Sequence, residues 1–71
     1  MTITHIVEVE TLDGDGGHGR VAYDEACGMY IGLIGEAPAT DYGLRPIEVI
    51  DRMANVLSEN AFYCHVNVQE V

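Results

Sequence analysis

The sequence predicts an α+β domain: a four-stranded, mostly antiparallel sheet with one helix on one face, in the order β-β-β-α-β. Apolar residues alternate with period two in four separate runs, and in a single run the period lengthens to 3.6. Glycine and proline mark the boundaries between these runs. Seventy-one residues make one domain, 1–71, with no repeat and no linker. A chain this short buries only ~60% of the surface it exposes when unfolded, so it has little stability to spare for a deep cleft.

The first strand, ITHIVEVET over 3–11, sends Ile3, Val7 and Val9 one way and Thr4, Ile6, Glu8 and Glu10 the other. A glycine-rich loop follows. RVAYD over 20–24 alternates again, with Val21 and Tyr23 inward, and 25–28 is a short turn. MYIGLI over 29–34 is the third strand, with Met29, Ile31 and Leu33 inward. Its Gly32 permits a bulge or the close approach of a neighbour. Residues 36–45, EAPATDYGLR, read as a loop.

Ile47, Ile50, Met53, Ala54 and Leu57 then form one helical stripe. Pro46 suits the first turn, where a missing N–H is no loss. Glu48 and Arg52 are an i,i+4 pair, and Asn60 fits a left-handed cap. FYCHVNVQ over 62–69 is the last strand, with Phe62, Cys64, Val66 and Val68 inward. A right-handed crossover through the helix predicts the spatial order 3-2-1-4, with the last strand parallel to the first. The face away from the helix then carries Thr4, Ile6, Glu8, Glu10, Tyr30, Ile34, Tyr63 and His65. Such a mixture of aromatic, aliphatic and acidic side chains suits an interface.

Residues 12–20, LDGDGGHGR, look most like a motif. A calcium-binding EF loop beginning at Asp13 has acids at positions 1, 3 and 12 (Asp13, Asp15, Asp24). It fails at position 5, Gly17, and position 6, His18. A phosphate loop needs GK[ST] and a following helix, and both are missing. The segment reads as a hairpin loop whose glycines allow positive φ. His5, His18, Cys27, Cys64 and His65 show no zinc-ligand spacing, and strand neighbours Cys64 and His65 point to opposite faces. Ser58, the only serine, lies at a helix end, and there is no lysine for a Schiff base. Glu8 and Glu10 sit ~7 Å apart along one strand face, but a flat face desolvates neither acid for proton transfer. The sequence therefore predicts a non-enzyme with no cofactor and no metal.

Charge is the strongest compositional signal. Twelve acids face three arginines and no lysine, for a formal net charge of −9. Such a surface repels nucleic acid and anionic membranes and attracts basic proteins. The chain is 48% hydrophobic, too apolar for charge-driven disorder. Two cysteines, no signal peptide and no long apolar span predict a soluble cytoplasmic protein, as a monomer or a weak dimer. Glu8, Glu10, Asp13, Asp15, Asp24, Glu25, Glu36 and Asp41 are the candidate contacts to a basic partner, with Tyr30, Tyr42 and Tyr63 as aromatic anchors. Duplex DNA carries one charge per ~1.7 Å of axis, and a domain studded with carboxylates offers a DNA-binding groove a comparable field. Acidity that only keeps the domain soluble is the plainer explanation.

In short length, acidity, single-domain build and lack of a catalytic motif, the chain resembles the small phage-borne anti-CRISPR inhibitors of type I systems. VEVETLDGDGG, YDEACG and GEAPATDYG supply the acidic loops and edges such inhibitors use. The resemblance implies a DNA mimic that binds the Cascade surveillance complex and blocks target DNA inside a bacterial host, with subtype I-C as a narrower expectation that the resemblance does not itself imply. The order β-β-β-α-β also resembles the partial ribonuclease-H-like domain of HicB-type antitoxins, which bind a small basic toxin. At GEAPATDYGLRPIEVI the sequence departs from the acidic turn that leads into the helix of those antitoxins.

Overall fold

The structure is a computed structural model that describes residues 1–14, 16–58 and 63–71, the last group by backbone alone at 63 and 64. Its elements are β1 (Thr2–Thr11), β2 (Gly17–Asp24), β3 (Met29–Ile34), β4 (Ala37–Pro38), α1 (Pro46–Ser58) and β5 (Tyr63–Glu70). The fold is α+β, as the sequence predicts, but with five strands in the order β4-β3-β2-β1-β5. The additional strand is Ala37–Pro38, inside the segment expected to be a loop. Gly35, at φ 63°, makes the tight β3–β4 turn.

That short hairpin changes the topology. The last strand lies beside the first, as expected, but antiparallel to it. β4 reverses the chain before the helix begins, so the crossover joins β4 to β5 and not β3 to β5. β5 therefore runs in the direction of β4.

One helix covers part of one sheet face. Val7, Val9 and Val21 pack there against Val49, Met53 and Ala54, with Tyr30, Ile50, Leu57 and Val66 half-buried around them. Met53 is wholly buried and seats in a notch made by two glycines. A Cβ on Gly19 would lie 2.2 Å from Met53 Cε, and one on Gly32 would lie 2.6 Å from its Cγ. Full burial of such a side chain stabilises the fold by about 1.5–3 kcal/mol. The opening glycine-rich stretch is thus partly strand. β2 starts at Gly17, three residues earlier than expected, and Gly19 serves packing instead of turning.

The notch reverses the expected phase of β3. Gly32 and Tyr30 face the helix, while Ile31 and Leu33 face away and join Ala22 and Ile3 in a second small cluster. Ile3 also departs from expectation. The ladder slips between Ile3↔Ala22 and His5↔Val21, and this bulge turns Ile3 to the face opposite Val7 and Val9. The helix starts at Pro46 as predicted, but its buried stripe is rotated: Val49 lies inside, and Ile47 is 61% exposed. Glu48 does not pair with Arg52. It accepts hydrogen bonds from Leu44 N–H (3.1 Å) and Arg45 Nε (3.4 Å), which satisfies the helix start and places an acid at the positive end of the dipole. The expected Asn60 cap and the expected inward Phe62 lie outside the described residues, as does the side chain of Cys64.

Candidate protein-binding surface

The structure distributes the candidate residues over three places and does not gather them into one patch. The first is the sheet face away from the helix. Glu8 and Glu10 lie there, as expected. Register brings neighbours that the sequence did not suggest: His18 and Asn67 flank Glu8, His65 lies opposite Glu10, and Arg20 and Gln69 flank Ile6. The face is a lattice of carboxylates, imidazoles and amides. Strand alternation told which residues share a face, but not which stand opposite one another, because the turns and the bulge set the register.

The second place is the end of the sheet at the β2–β3 turn. Asp24 organises it: its Oδ1 accepts from Ala26 N–H at 3.0 Å, and its carbonyl accepts from Gly28 N–H at 2.8 Å. Gly28, at φ 70°, completes the turn. Tyr42 donates its hydroxyl to Asp24 Oδ2 at 2.7 Å and ties the 39–45 segment to this turn. That hydrogen bond is the main reason that Asp24 stays below its ordinary carboxylate pKa, with Ala26 N–H adding to it. The same bond is the chief cause that raises the Tyr42 hydroxyl to about 12. Glu25 accepts from the Thr2 hydroxyl, which lowers its pKa, and lies 3.3 Å from the amino terminus.

The third place is the opposite end, about 24 Å away along the eight residues of β2. Asp13 sits there on the β1–β2 hairpin, where it accepts from the Thr11 hydroxyl, and Glu36 sits on the β3–β4 turn. Asp41 is exposed on the segment beyond β4. Asp15 and the side chain of Tyr63 lie outside the described residues.

Of the aromatic anchors, Tyr42 is surface-exposed but committed to Asp24. Tyr30 is not on the open face. It is half-buried on the helix side, with its ring 5.1 Å from that of Tyr23. Ile34 lies on that side too, within reach of Gly19. The sequence MYIGLI is apolar at both parities apart from its glycine, so alternation could not choose between its faces.

Arg45 pairs with Glu48, whereas Arg20 donates to the Gly35 carbonyl and Arg52 to the Tyr42 carbonyl at 3.2 Å. Two of the three arginines thus serve loop carbonyls. His5 stands 3.9 Å from Glu70. Surface pairs of this kind contribute little to stability, and the acids outnumber the arginines by nine.

Among the described residues no three of His, Cys, Asp and Glu converge as metal ligands, and no helix is long and apolar enough to cross a membrane. No family model matches the chain, and no match is found among curated proteins or solved structures.

Proposed function

We propose that this domain is a non-enzymatic inhibitor that presents its carboxylates to the cationic nucleic-acid groove of a protein partner. In its specific form the reading is an anti-CRISPR protein that blocks target-DNA binding by a type I Cascade complex in the host cytoplasm. The observation that carries it is the charge balance: twelve acids against three arginines, two of which donate to backbone carbonyls. The shape supports it too. The molecule measures 39 × 21 × 20 Å. For a molecule 39 Å long, twelve acids average one per about 3 Å of length, close to the ~3.4 Å per charge of one DNA strand. The open face contributes Glu8 and Glu10, and the two ends contribute Asp24 with Glu25 and Asp13 with Glu36. A groove lined with arginine and lysine meets carboxylates along the length of such a ligand, and rim charges of this kind speed association.

The antitoxin alternative shares the expectation of a basic protein partner. It rests on a β-β-β-α-β order, and the observed chain has an added strand before the helix.

The test is competition between the domain and labelled target duplex for purified Cascade. The wild-type domain displaces the duplex at low salt and loses affinity as salt rises. The double reversal E8K/E10K weakens competition by about tenfold or more. Undiminished competition from E8K/E10K and from E25K/E36K alike removes the mimicry reading. Affinity capture from host extract separates the classes of partner: a Cascade subunit supports the proposal, and a small basic ribonuclease replaces it with the antitoxin reading.

A further inference from the structure

The free edge of β5 is a self-complementary docking strand, and we infer that two copies of this chain pair there in antiparallel fashion across a two-fold axis. The inference stands apart from the proposed function and rests on the backbone.

Val71 N–H donates to the Thr4 carbonyl at 3.0 Å, continuing the ladder in which His5 stands opposite Glu70 and Ile6 opposite Gln69. In an antiparallel ladder, successive residues turn their N–H and C=O groups alternately to one neighbour and to the other. From His65 onward, where the register is regular, the odd-numbered residues of β5 therefore bond to β1. Val66, Val68 and Glu70 turn their N–H and C=O groups outward, to an edge with no further strand among the described residues. An unpaired edge of this length is a template for another strand unless it is blunted by proline, lysine or a bulge. β5 (YCHVNVQE) has no proline or lysine, and its only acid is the terminal Glu70; the irregularity opposite the Glu10–Thr11 step lies at Cys64, at the start of the strand, and leaves His65–Glu70 regular.

The side chains agree with the backbone. Val68 is 38% exposed although its cross-strand neighbour Val7 is wholly buried, so the helix reaches Val66 but leaves Val68 uncovered. Glu48 and Val49 approach Gly43, and Arg52 reaches Tyr42, which marks the β3 flank of the helix. Val66 and Val68 thus form an apolar margin along the edge strand.

The occupant is a second copy because the strand is complementary to itself and because charge excludes most other contacts between copies. A two-fold axis normal to the sheet requires opposing residues to share a face. Centred on Asn67, the pairing sets Val66 against Val68 of the second copy, so the outward donors of each meet the outward acceptors of the other. On the open face Asn67 meets Asn67 of the second copy, and His65 meets Gln69 of the second copy. No carboxylate opposes another. Glu8 and Glu10 of the two copies are three strand spacings apart, about 14 Å, beyond the ~8 Å screening length at physiological salt. The result is one continuous sheet with two acidic open faces side by side.

Sedimentation equilibrium over a concentration series tests it. The wild-type chain shifts from 7.7 kDa toward twice that mass as concentration rises. N67K places two ammonium groups face to face at the axis and restores the 7.7 kDa species. Within one copy the new lysine lies opposite Glu8, so the fold is kept, and it lowers the net negative charge, so general repulsion cannot explain the loss. V68P removes an outward N–H and has the same effect. Amide exchange gives a second reading: Val66 and Val68 become protected with rising concentration, whereas Asn67, already bonded to β1, does not change. A wild-type chain that stays at 7.7 kDa throughout overturns the inference. So does a dimer that survives both N67K and V68P, or one in which the Val66 and Val68 amides exchange as in the monomer.

Discussion

At one margin of the sheet the pairing ends in the two-residue β4, which carries Pro38, and the following segment folds back along β3. Ala39 N–H donates to the Gly32 carbonyl, Gly32 N–H donates to the Thr40 hydroxyl, and Gly43 bridges to Tyr30. At the other margin β5 runs for eight residues with none of these devices, and the helix covers β1 but leaves Val68 in solvent. Both margins come from similar alternating or apolar sequence. The difference shows that a strand's hydrophobicity does not decide whether it is buried. The placement of the single helix does, and with 71 residues there is one helix to place. The covered half carries the stability, and the uncovered margin is left available for contact.

The largest test of this contrast is Met53→Ala. Met53 locks the helix onto the glycine notch of β2 and β3, and its truncation costs about 2–5 kcal/mol. For so small a domain that is a large share of the total, so urea unfolding shows a much lower midpoint. An unchanged midpoint would mean that the notch does not hold the helix.

Val7→Ala and Val68→Ala sharpen the comparison directly, since the two residues form one cross-strand pair. Val7→Ala loses about 2 kcal/mol, from two buried methylene-sized groups at about 0.8 kcal/mol each plus the residual cavity. Val68→Ala loses under about 0.5 kcal/mol at monomeric concentration. Equal losses would place the helix over both strands.

The smallest effect belongs to the loop tether beyond β4. Tyr42→Phe leaves the urea midpoint nearly in place, and the Asp24 carboxyl titrates at higher pH once its main hydrogen bond is gone. In the wild type Asp24 has a depressed pKa, so its contribution is complete above its ordinary 3.8 and fades as pH falls through the depressed value. Tyr42 has a raised one, so its contribution is complete below 10.0 and fades as pH rises toward about 12. NMR titration of Asp24 in the two proteins measures this, and coincident curves count against the tether.

The fold class, the adjacency of the first and last strands, the helix start at Pro46 and the inward set Val7, Val9 and Val21 were legible in the residues, because each follows from local periodicity and turn chemistry. The phase of β3 was not. Its apolar residues occupy both parities, and the choice was made by Met53 entering beside Gly32. Nor was the rotation of the helix from Ile47 to Val49, which follows from seating α1 over β1–β3 and beside Gly43. In the candidate surface, the identity of the acids and the direction of the field could be read from composition. Their separation into an open face and two distant ends, and the engagement of Tyr42 with Asp24, arise from register and loop closure between segments remote in sequence.

By itself, then, the sequence determined the alternation, the one helical stripe, the acidity and the scarcity of cations, since these are properties of neighbouring residues and of sums. Only the tertiary structure decided that β5 runs antiparallel to β1 at an open edge, that Ile3 and Tyr30 exchange their expected faces, and that the carboxylates spread along the molecule. Each of those outcomes depends on a competition between distant segments for the same small core, and local pattern carries no record of which one wins.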